Sequence, residues 1–416
     1  MKIIKTISAF FISTMIFTSC TNIPSYPGAE VKKTAGAISC TIDGTTVLIE
    51  PVEASLPANF MRGFDSSADS EAAVSYKNTA ANNCSLYKTL ADFGVNWVRL
   101  RVWNNPQNGN IVSGSPAGKS DKATVVAQAV EAKKAGLKVL LDFHYSDYWA
   151  DPGKQVIPAD WLSCTTSDEM ALKLSEYTKE VLLAMKEAGA APNMIQIGNE
   201  ISSGILLHTS VSQDSSGNTS VTKAATSIAG TFRSDNYFKY LNAGISAARE
   251  ICPQAAIMLQ FTDISRNSPL NFISSFADLD YDIVGLSWYS EWASHGTLEN
   301  LGSVISKIKT QFGKEVAVVE TNVHHTTQEG ILSAQHKANL TGSDGSLYAG
   351  IITDAEGNVV ASIQNQANII RAVIEVTAKN GGCGVFEWGG EYLGAWNSMF
   401  AGSGVPLPSL AVYGVQ

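Results

Sequence analysis

Charged side chains are scarce in this chain of 416 residues, and an excess of basic residues is absent. Only 16% of the residues are charged, and 29 Lys and Arg are outnumbered by 38 Asp and Glu, which gives a formal net charge of -9. A negative balance disfavours nonspecific association with nucleic acid or with an anionic membrane surface. Because 45% of the residues are hydrophobic, the chain can bury a large core. The composition favours a globular protein with a neutral or polyhydroxylated partner.

Cysteine is also rare. The chain has six cysteines, without a Cys-x-x-Cys pair or a Cys/His spacing typical of metal sites. A domain of this size does not need a disulfide, so we interpret most of them as buried free thiols. The sequence also contains no P-loop, phosphate-binding glycine loop or nucleophile elbow, which disfavours binding of nucleotide phosphates and catalysis by a serine nucleophile.

The apolar stretch at the amino terminus is too short to span a membrane. Two lysines precede an apolar run from Ile7 to Phe17, a pattern typical of a secretory signal, whereas a spanning helix needs about 20 apolar residues. Ser19-Cys20 resembles a bacterial lipoprotein cleavage site, which predicts a signal segment over 1–20 and a lipid anchor on Cys20. An ordinary signal peptide with a cysteine placed by chance is the alternative. We expect a secreted or envelope-attached protein.

The rest of the chain divides into a spacer and one large domain. Residues 21–58 are rich in Pro, Gly, Ser, Thr and Ala, which predicts a spacer with one or two edge strands near residues 47–52. From residue 59 to 416, short β-branched runs alternate with helical patterns. The predicted strands cover 60–67, 95–103, 137–145, 194–200, 255–262, 282–289, 315–321 and 383–389. The predicted helices cover 82–93, 121–135, 167–188, 234–251, 270–277, 298–312 and 363–379.

Eight strand–helix repeats predict an α/β protein with a single (β/α)8 TIM barrel as its catalytic domain, because such barrels take about 250 residues before insertions. An open doubly wound sheet is the alternative, but it would need about six strands. Two polar insertions, 207–232 and 326–362, follow predicted strands four and seven. We therefore expect them on the face where barrels keep their active sites.

The strand ends of such a barrel share one mouth. The sequence places acidic, basic, amide and aromatic side chains there: Asp65, Arg99, Arg101, Trp103, Asp142, His144, Asn199, Glu200, Tyr289, Glu320 and Trp388. Aromatic faces beside acids suit a sugar site, and two facing carboxylates supply glycoside hydrolysis. A carboxylate separation of about 5 Å predicts retention of configuration, and one of roughly 6.5–9.5 Å predicts inversion.

Each of these side chains has a structural alternative. A lone carboxylate can be half of an ion pair, and a lone tryptophan can be a core residue. Glu200 and Glu320 are harder to explain in this way, because each closes an apolar run, where an idle charge is costly. Arg99 and Arg101 share one face of the second strand, which implies an acidic partner such as Glu320 or Asp142.

Seven stretches carry a resemblance to a known family. They are VRLRVWNNP (98–106), AKKAGLKVLLDFHYSDYWADPGKQ (132–155), YTKEVLLAMKEAGAAPNMIQIGNEI (177–201), LNAGISAARE (241–250), DIVGLSWYSEW (282–292), HGTLENL (295–301) and VAVVET (316–321). They look like glycoside hydrolase family 53, the endo-β-1,4-galactanases. The resemblance extends from about Met61 to Trp388. It implies a retaining, endo-acting glycosidase that cleaves β-1,4-galactan side chains of type I arabinogalactan in pectin and requires no cofactor.

The resemblance also implies roles for individual residues. Glu200 would be the general acid/base and Glu320 the nucleophile. Arg99 or Arg101, together with Tyr289, would hydrogen-bond Glu320 and keep it ionised. The other residues around the sugar would be Asp65, Trp103, Asp142, His144, Asn199 and Trp388, with the Asn199 amide on the sugar 2-hydroxyl.

The chain departs from the family pattern at two strand ends. Residues 322–325 open a long insertion where the family usually continues with small and tyrosyl residues. Glu387 and Gly389 flank Trp388 where the family tends to have an aromatic residue and a glutamate. These differences bear on substrate length and linkage preference. Some members bind calcium, and the segment DAEGN offers weak candidate ligands for a structural calcium in Asp354, Glu356 and Asn358, although a solvated loop explains the same pattern.

Three further functions compete at this point. The first is a related glycanase acting on another β-1,4-linked polysaccharide such as mannan or β-glucan. The second is a glycan-binding module without catalysis, which predicts loss of a catalytic carboxylate, whereas both are present. The third is a metal-dependent hydrolase using His144, His324 and His325, but strand one lacks the His-x-His pair that such sites usually have. We expect a monomer.

Overall fold

The computed structural model describes residues 30–34, 37–108, 119–214, 216, 218–266 and 268–414, so the predicted signal segment and Cys20 lie outside the described residues. At its centre eight parallel strands form a closed barrel. Their bounds are Met61–Asp65, Trp97–Val102, Lys138–Phe143, Met194–Ile197, Ala256–Phe261, Ile283–Ser287, Glu315–Thr321 and Gly384–Glu387. The first strand pairs with both the second and the eighth, which closes the ring. The predicted (β/α)8 TIM barrel is confirmed, and the open sheet is excluded.

The helices lie between successive strands in the chain. The longer ones are Leu86–Asp92, Lys122–Lys134, Ser167–Glu187, Asp235–Ile251, Leu298–Phe312 and Ile363–Lys379. Local sequence fixes their ends: Thr166 and Glu169 form a capping box, and Gly313 ends its helix in the left-handed conformation. The helix predicted at 270–277 is wrong. The chain forms two 3-10 turns, Pro269–Asn271 and Ile273–Phe276, because Phe272 between them has a φ of -139°. None of the described helices has the length and apolar character needed to cross a membrane.

The barrel interior is apolar at one end and polar at the other. A buried apolar layer fills the end where the strands begin: Met61, Trp97, Leu140, Met194, Met258, Ile283, Ala317, Val319 and Phe386. Two residues further along several strands the chain places polar side chains, including Arg99, Asp142, Gln196 and Gln260. Since side chains alternate along a strand, these polar residues face the same interior above the apolar layer. The apolar layer therefore forms the floor of a polar site at the carboxyl ends of the strands.

Both predicted insertions leave the carboxyl ends of barrel strands. After the fourth strand, His208–Gln213 and Thr219–Lys223 form an antiparallel hairpin. After the seventh strand, the insertion contains the short helix Ala334–Asn339 and turns joined by isolated bridges.

The segment interpreted as a spacer contains a three-stranded antiparallel sheet, formed by Glu30–Thr34, Ala37–Ile42 and Thr45–Ile49. Its alternating apolar residues belong to the main hydrophobic core: Ile38, Cys40, Ile42, Val47 and Ile49. The Gln364 side chain donates to the carbonyl of Leu48 (2.7 Å) and accepts from its N–H (2.9 Å), which joins the sheet to helix Ile363–Lys379. Residues 37–49 are thus part of the folded domain rather than a spacer. The cysteines at 40, 84, 164, 252 and 383 are free thiols.

Candidate active site

Two carboxylates share one hydrogen-bonded bridge at the mouth of the barrel. Glu200 follows the fourth strand, and Glu320 lies near the end of the seventh. Gln260 Nε2 donates to Glu320 Oε1 (2.8 Å) and to Ser287 Oγ (3.0 Å). Ser287 Oγ in turn donates to Glu200 Oε1 (2.7 Å). The fold therefore brings the two glutamates predicted from the sequence to one site.

Glu320 is surrounded by donors. Besides Gln260, its Oε1 lies 3.0 Å from Arg99 Nη1, and its Oε2 accepts from the Tyr289 hydroxyl (2.8 Å). Burial and the charge of Glu320 raise the pKa of Tyr289 well above its usual range, so the phenol stays protonated and remains a donor. Both oxygens of Glu320 are thus held in fixed directions in an environment that suits a carboxylate anion.

The surroundings of Glu200, in contrast, favour the protonated form of its carboxyl group. Burial, followed by the nearby charge of Glu320, raises the pKa of Glu200 well above its usual range, while the Ser287 hydrogen bond opposes that shift. The backbone of Glu200 has a positive φ of 48°, and its N–H donates to Gln260 Oε1 (3.0 Å). One carboxyl group of the pair is therefore predisposed to carry a proton, while the other faces a cation and two hydrogen-bond donors.

Arg99 is the buried cation of this site and is 1% exposed. Its Nη2 lies 2.8 Å from Asp142 Oδ2 and 2.6 Å from Asn199 Oδ1, and its Nη1 lies 3.3 Å from Asp65 Oδ2. With Glu320, three carboxylates surround one guanidinium. Such burial is tolerated only when each charge has a close partner, so these residues form one interdependent network.

The third strand fixes the amide of Asn199. His144 Nε2 lies 3.1 Å from Asp142 Oδ2, and its Nδ1 accepts from the N–H of Ala150 (3.1 Å). The Ala150 carbonyl accepts from Asn199 Nδ2 (2.8 Å). Since Arg99 binds the amide oxygen of Asn199, both ends of that amide are defined.

Arg101 does not take the place beside Glu320 that was considered for it. Its guanidinium lies over the indoles of Trp149 (4.2 Å to the ring centroid) and Trp103 (5.0 Å), whose own centroids are 5.3 Å apart. It hydrogen-bonds Glu71 (3.2 Å) and the hydroxyl of Tyr392 (3.3 Å). Of the two arginines on the second strand, the structure brings Arg99 to Glu320 and places Arg101 in cation–π contact with two indoles.

Two indoles line the wall of the site. Trp149 and Trp388 are partly exposed, and their ring centroids lie 6.0 Å apart in an edge-to-face arrangement. Trp103, in contrast, is 1% exposed and packs behind Trp149 at 5.3 Å. Trp103 therefore supports the wall and does not present its face to the cleft.

Three uncharged residues of the network, Gln196, Gln260 and Ser287, were not identified from the sequence. Gln196 Nε2 donates to Asp142 Oδ1 (2.6 Å) and to Gln260 Oε1 (2.6 Å), and Ser287 joins them to Glu200. Both glutamines interrupt apolar strands and are fully buried. That interruption was the available signal, since a buried amide requires partners.

The calcium candidates form a closed turn. Asp354 Oδ1 accepts from the N–H of Asn358 (2.8 Å), and its Oδ2 accepts from the side-chain amide of Asn358 (3.0 Å). Glu356 is exposed. The carboxylate of Asp354 and the amides of Asn358 therefore hydrogen-bond one another within the turn. Across the described residues, no group of three or more His, Cys, Asp or Glu is arranged to hold a metal.

Comparison with known proteins places this geometry in context. The model of glycosyl hydrolase family 53 matches residues 61–414. An endo-beta-1,4-galactanase of Bacillus subtilis is 30% identical over 92% of this chain and 80% of its own length. An arabinogalactan endo-beta-1,4-galactanase of Thermothelomyces thermophilus is 32% identical over 85% of this chain and 98% of its own. The solved GH53 catalytic domain of Ignisphaera aggregans is 28% identical, with a TM-score of 0.69 over 88% of this chain and 98% of that domain.

Proposed function

The chain belongs to glycosyl hydrolase family 53, and we propose that it is an endo-acting, retaining β-1,4-galactanase. Its substrate is the β-1,4-galactan of type I arabinogalactan side chains in pectin. The two relatives described above are named as galactanases. Galactan is neutral and polyhydroxylated, which suits a site lined by acidic and aromatic side chains.

One observation carries the assignment of roles. The two carboxyl groups are joined through Gln260 and Ser287 but have opposite environments. Glu200, with its raised pKa, is protonated in the free enzyme and acts as the general acid. Glu320, held by Arg99 and Tyr289, acts as the nucleophile.

The reaction has two steps. Glu320 attacks the anomeric carbon while Glu200 transfers its proton to the departing glycosidic oxygen, which forms a glycosyl-enzyme ester. Glu200, now a carboxylate, then takes a proton from water, which hydrolyses the ester and releases a sugar of unchanged configuration. Asn199, held by Arg99 and Ala150, hydrogen-bonds the sugar 2-hydroxyl, and this bond strengthens in the oxocarbenium-like transition state.

The surrounding residues bind and orient the sugar. Trp388 and Trp149 offer indole faces for the C–H faces of the pyranose rings. Asp142 and His144 position the amide of Asn199, while Arg101 and Trp103 hold Trp149 in place.

The location of the protein and its cofactor use are also part of the proposed function. We propose that the protein is secreted or held at the cell envelope through lipidated Cys20, acts as a monomer and requires no cofactor. Since the proposed reaction requires no cofactor, a chelator should leave galactan hydrolysis unchanged. Loss of activity in chelator would support the metal-dependent alternative.

Hydrolysis of linear β-1,4-galactan tests the function. The chain should release oligosaccharides whose newly formed ends keep the β configuration, as measured by proton NMR at early times. Glu320→Ala and Glu200→Ala should each reduce turnover at least about a thousandfold while circular dichroism shows a folded protein. Substantial turnover by Glu320→Ala would refute the catalytic roles assigned to the two glutamates. Faster hydrolysis of mannan or β-glucan than of galactan in a substrate panel would show that another polysaccharide is the substrate.

A further inference from the structure

Two tryptophans stand out by their exposure on the loops beyond the catalytic centre. Trp396, after the eighth strand, is 47% exposed, and Trp292, after the sixth, is 40% exposed. An aromatic side chain with one polar and one apolar end is well suited to contact with a ligand when it is exposed beside a binding site. Both lie on the face where the strands end, which is the face of the two catalytic carboxylates.

The ring of Trp396 is held by the loop after the seventh strand. The imidazole of His324 lies against it, with 3.4 Å between the ring centroids, and the N–H of His325 donates to the Trp396 carbonyl (2.9 Å). An exposed aromatic ring with a fixed orientation loses little entropy when a ligand stacks on it. Trp396 therefore has the properties of a stacking platform.

A carboxyl group lies beside the same imidazole. Glu291 Oε2 is 3.7 Å from His324 Nε2, and its side chain is 28% exposed. Burial lowers the pKa of His324 to about 3, so the imidazole is neutral at neutral pH and the carboxyl oxygens are not consumed by an ion pair. Glu291 can accept hydrogen bonds from the hydroxyl groups of a sugar that stacks on Trp396.

The insertion after the seventh strand supports the loop that carries Glu291. Asn339 Nδ2 donates to the carbonyls of Ser290 (3.0 Å) and Trp292 (2.9 Å). His336 Nδ1 and Ser290 Oγ lie 2.6 Å apart. The short helix Ala334–Asn339 thus fixes the residues on both sides of Glu291.

Hydrogen bonds to Trp388 tie the loops that carry this surface to the catalytic centre. Asn322 and Asn397 both donate to the carbonyl of Trp388, at 3.2 and 3.4 Å. Those two asparagines lie on the loops that carry His324 and Trp396. The loops that carry His324 and Trp396 are therefore fixed beside the residue whose indole lines the site.

We infer that Trp396, Glu291 and His324 form an additional subsite that binds one further hexopyranose residue of the polysaccharide. Trp396 stacks on the C–H face of the sugar, Glu291 accepts from its hydroxyls, and His324 supports the indole of Trp396. The inference rests on the proposed function, since the ligand is the same neutral polymer at a distance from the bond that is cleaved.

Binding and hydrolysis are measured separately to test it. Glu320→Gln, which prevents turnover, and the double variant Glu320→Gln/Trp396→Ala are titrated with β-1,4-galactohexaose and β-1,4-galactobiose by calorimetry. The indole stack predicts about tenfold weaker binding of the hexaose by the double variant and unchanged binding of the biose. Glu291→Gln in the same background should weaken hexaose binding less. Leu172→Ala, which removes an exposed apolar side chain from helix Ser167–Glu187, is the matched control and should change neither affinity.

The outcomes separate the two proposals. Equal hexaose affinity with and without the Trp396 indole overturns the subsite, whatever the wild-type chain hydrolyses. A tenfold loss of affinity together with no hexaose hydrolysis by the wild-type chain supports the subsite and overturns the proposed function. Absence of hexaose binding in the Glu320→Gln protein overturns both.

Discussion

Gln260 hydrogen-bonds both members of the proposed catalytic pair, Glu200 and Glu320. Its Oε1 accepts from the N–H of Glu200, and its Nε2 donates to Glu320 and to Ser287. Because an amide carries one acceptor and two donor hydrogens without charge, it can bridge two acids and leave the balance of charge around Arg99 unaltered. A glutamate in its place would add another carboxylate beside Glu320. This polar bridge explains how the two acids are held to each other.

Ser287→Ala should move the alkaline limb of the pH profile of kcat/KM to higher pH. The Ser287 hydroxyl donates to Glu200 and favours the carboxylate, so its loss raises the pKa of Glu200 further above the usual value. Since the general acid works protonated, activity then persists to a higher pH. The control is Ser409→Ala, which removes a buried hydroxyl that donates to Gln366. A limb that stays in place in Ser287→Ala would show that this hydroxyl does not act on the acid.

Charge explains which site residues could be predicted from the sequence. Arg99 and Glu320 lie in apolar strands and Glu200 follows one, and all three carry groups that are costly to bury, which made them recognisable. Gln260 and Ser287 also lie in apolar strands, but they carry uncharged groups, which bury easily once hydrogen-bonded. Their roles depend on partners that only the closed barrel brings together.

At the scale of elements, strong periodicity gave accurate bounds. The predicted strand 315–321 and helices 298–312 and 363–379 coincide with the observed ones. The predicted fourth strand, 194–200, extended past Ile197, because the sequence does not reveal the turn at Gly198 and the positive φ at Glu200. The amino-terminal sheet was underestimated because its polar alternate positions resemble those of a linker.

Ile49→Ala and Leu48→Ala should differ in their effect on stability, because the two residues lie on opposite faces of the amino-terminal sheet. Ile49 is fully buried against the domain, whereas the side chain of its neighbour Leu48 is 51% exposed. We expect Ile49→Ala to lower the free energy of unfolding by about 2–5 kcal/mol, and Leu48→Ala to change it by less than about 0.5 kcal/mol. Urea unfolding followed by tryptophan fluorescence measures both. Equal stability of the two variants would contradict the packing of this sheet on the barrel.

At the scale of the whole molecule, a second acidic region lies beside the first and eighth strands. Glu391 is 1% exposed, and neither of its carboxyl oxygens has a hydrogen-bond partner among the described residues. Burial and the charge of Asp65 raise its pKa well above the usual range. Asp65 in turn contacts Arg99, so the catalytic network and this carboxyl share one buried charge system.

Glu391→Gln should stabilise the protein in a pH-dependent way. A raised pKa in the folded state contributes stability below the unfolded value of about 4.5, and this contribution is lost as pH rises. The variant does not titrate, so its advantage over the wild-type chain should be absent near pH 4 and reach about 1–3 kcal/mol at pH 8. Urea unfolding across this range measures the difference, with the exposed Glu356→Gln as a control whose difference stays flat. A constant difference for Glu391→Gln would exclude a titrating carboxyl.

The backbone of Glu200 has a further consequence. Its φ of 48° lies in the left-handed region, which costs a side-chain-bearing residue roughly 1–2 kcal/mol and glycine very little. The same residue also places a carboxyl group beside a second acid. The fold is therefore less stable with the proposed acid/base than it would be with glycine in that position, and in this proposal stability is exchanged for activity at a single residue. Selection for thermal stability alone would tend to remove the carboxyl group that we propose as the general acid.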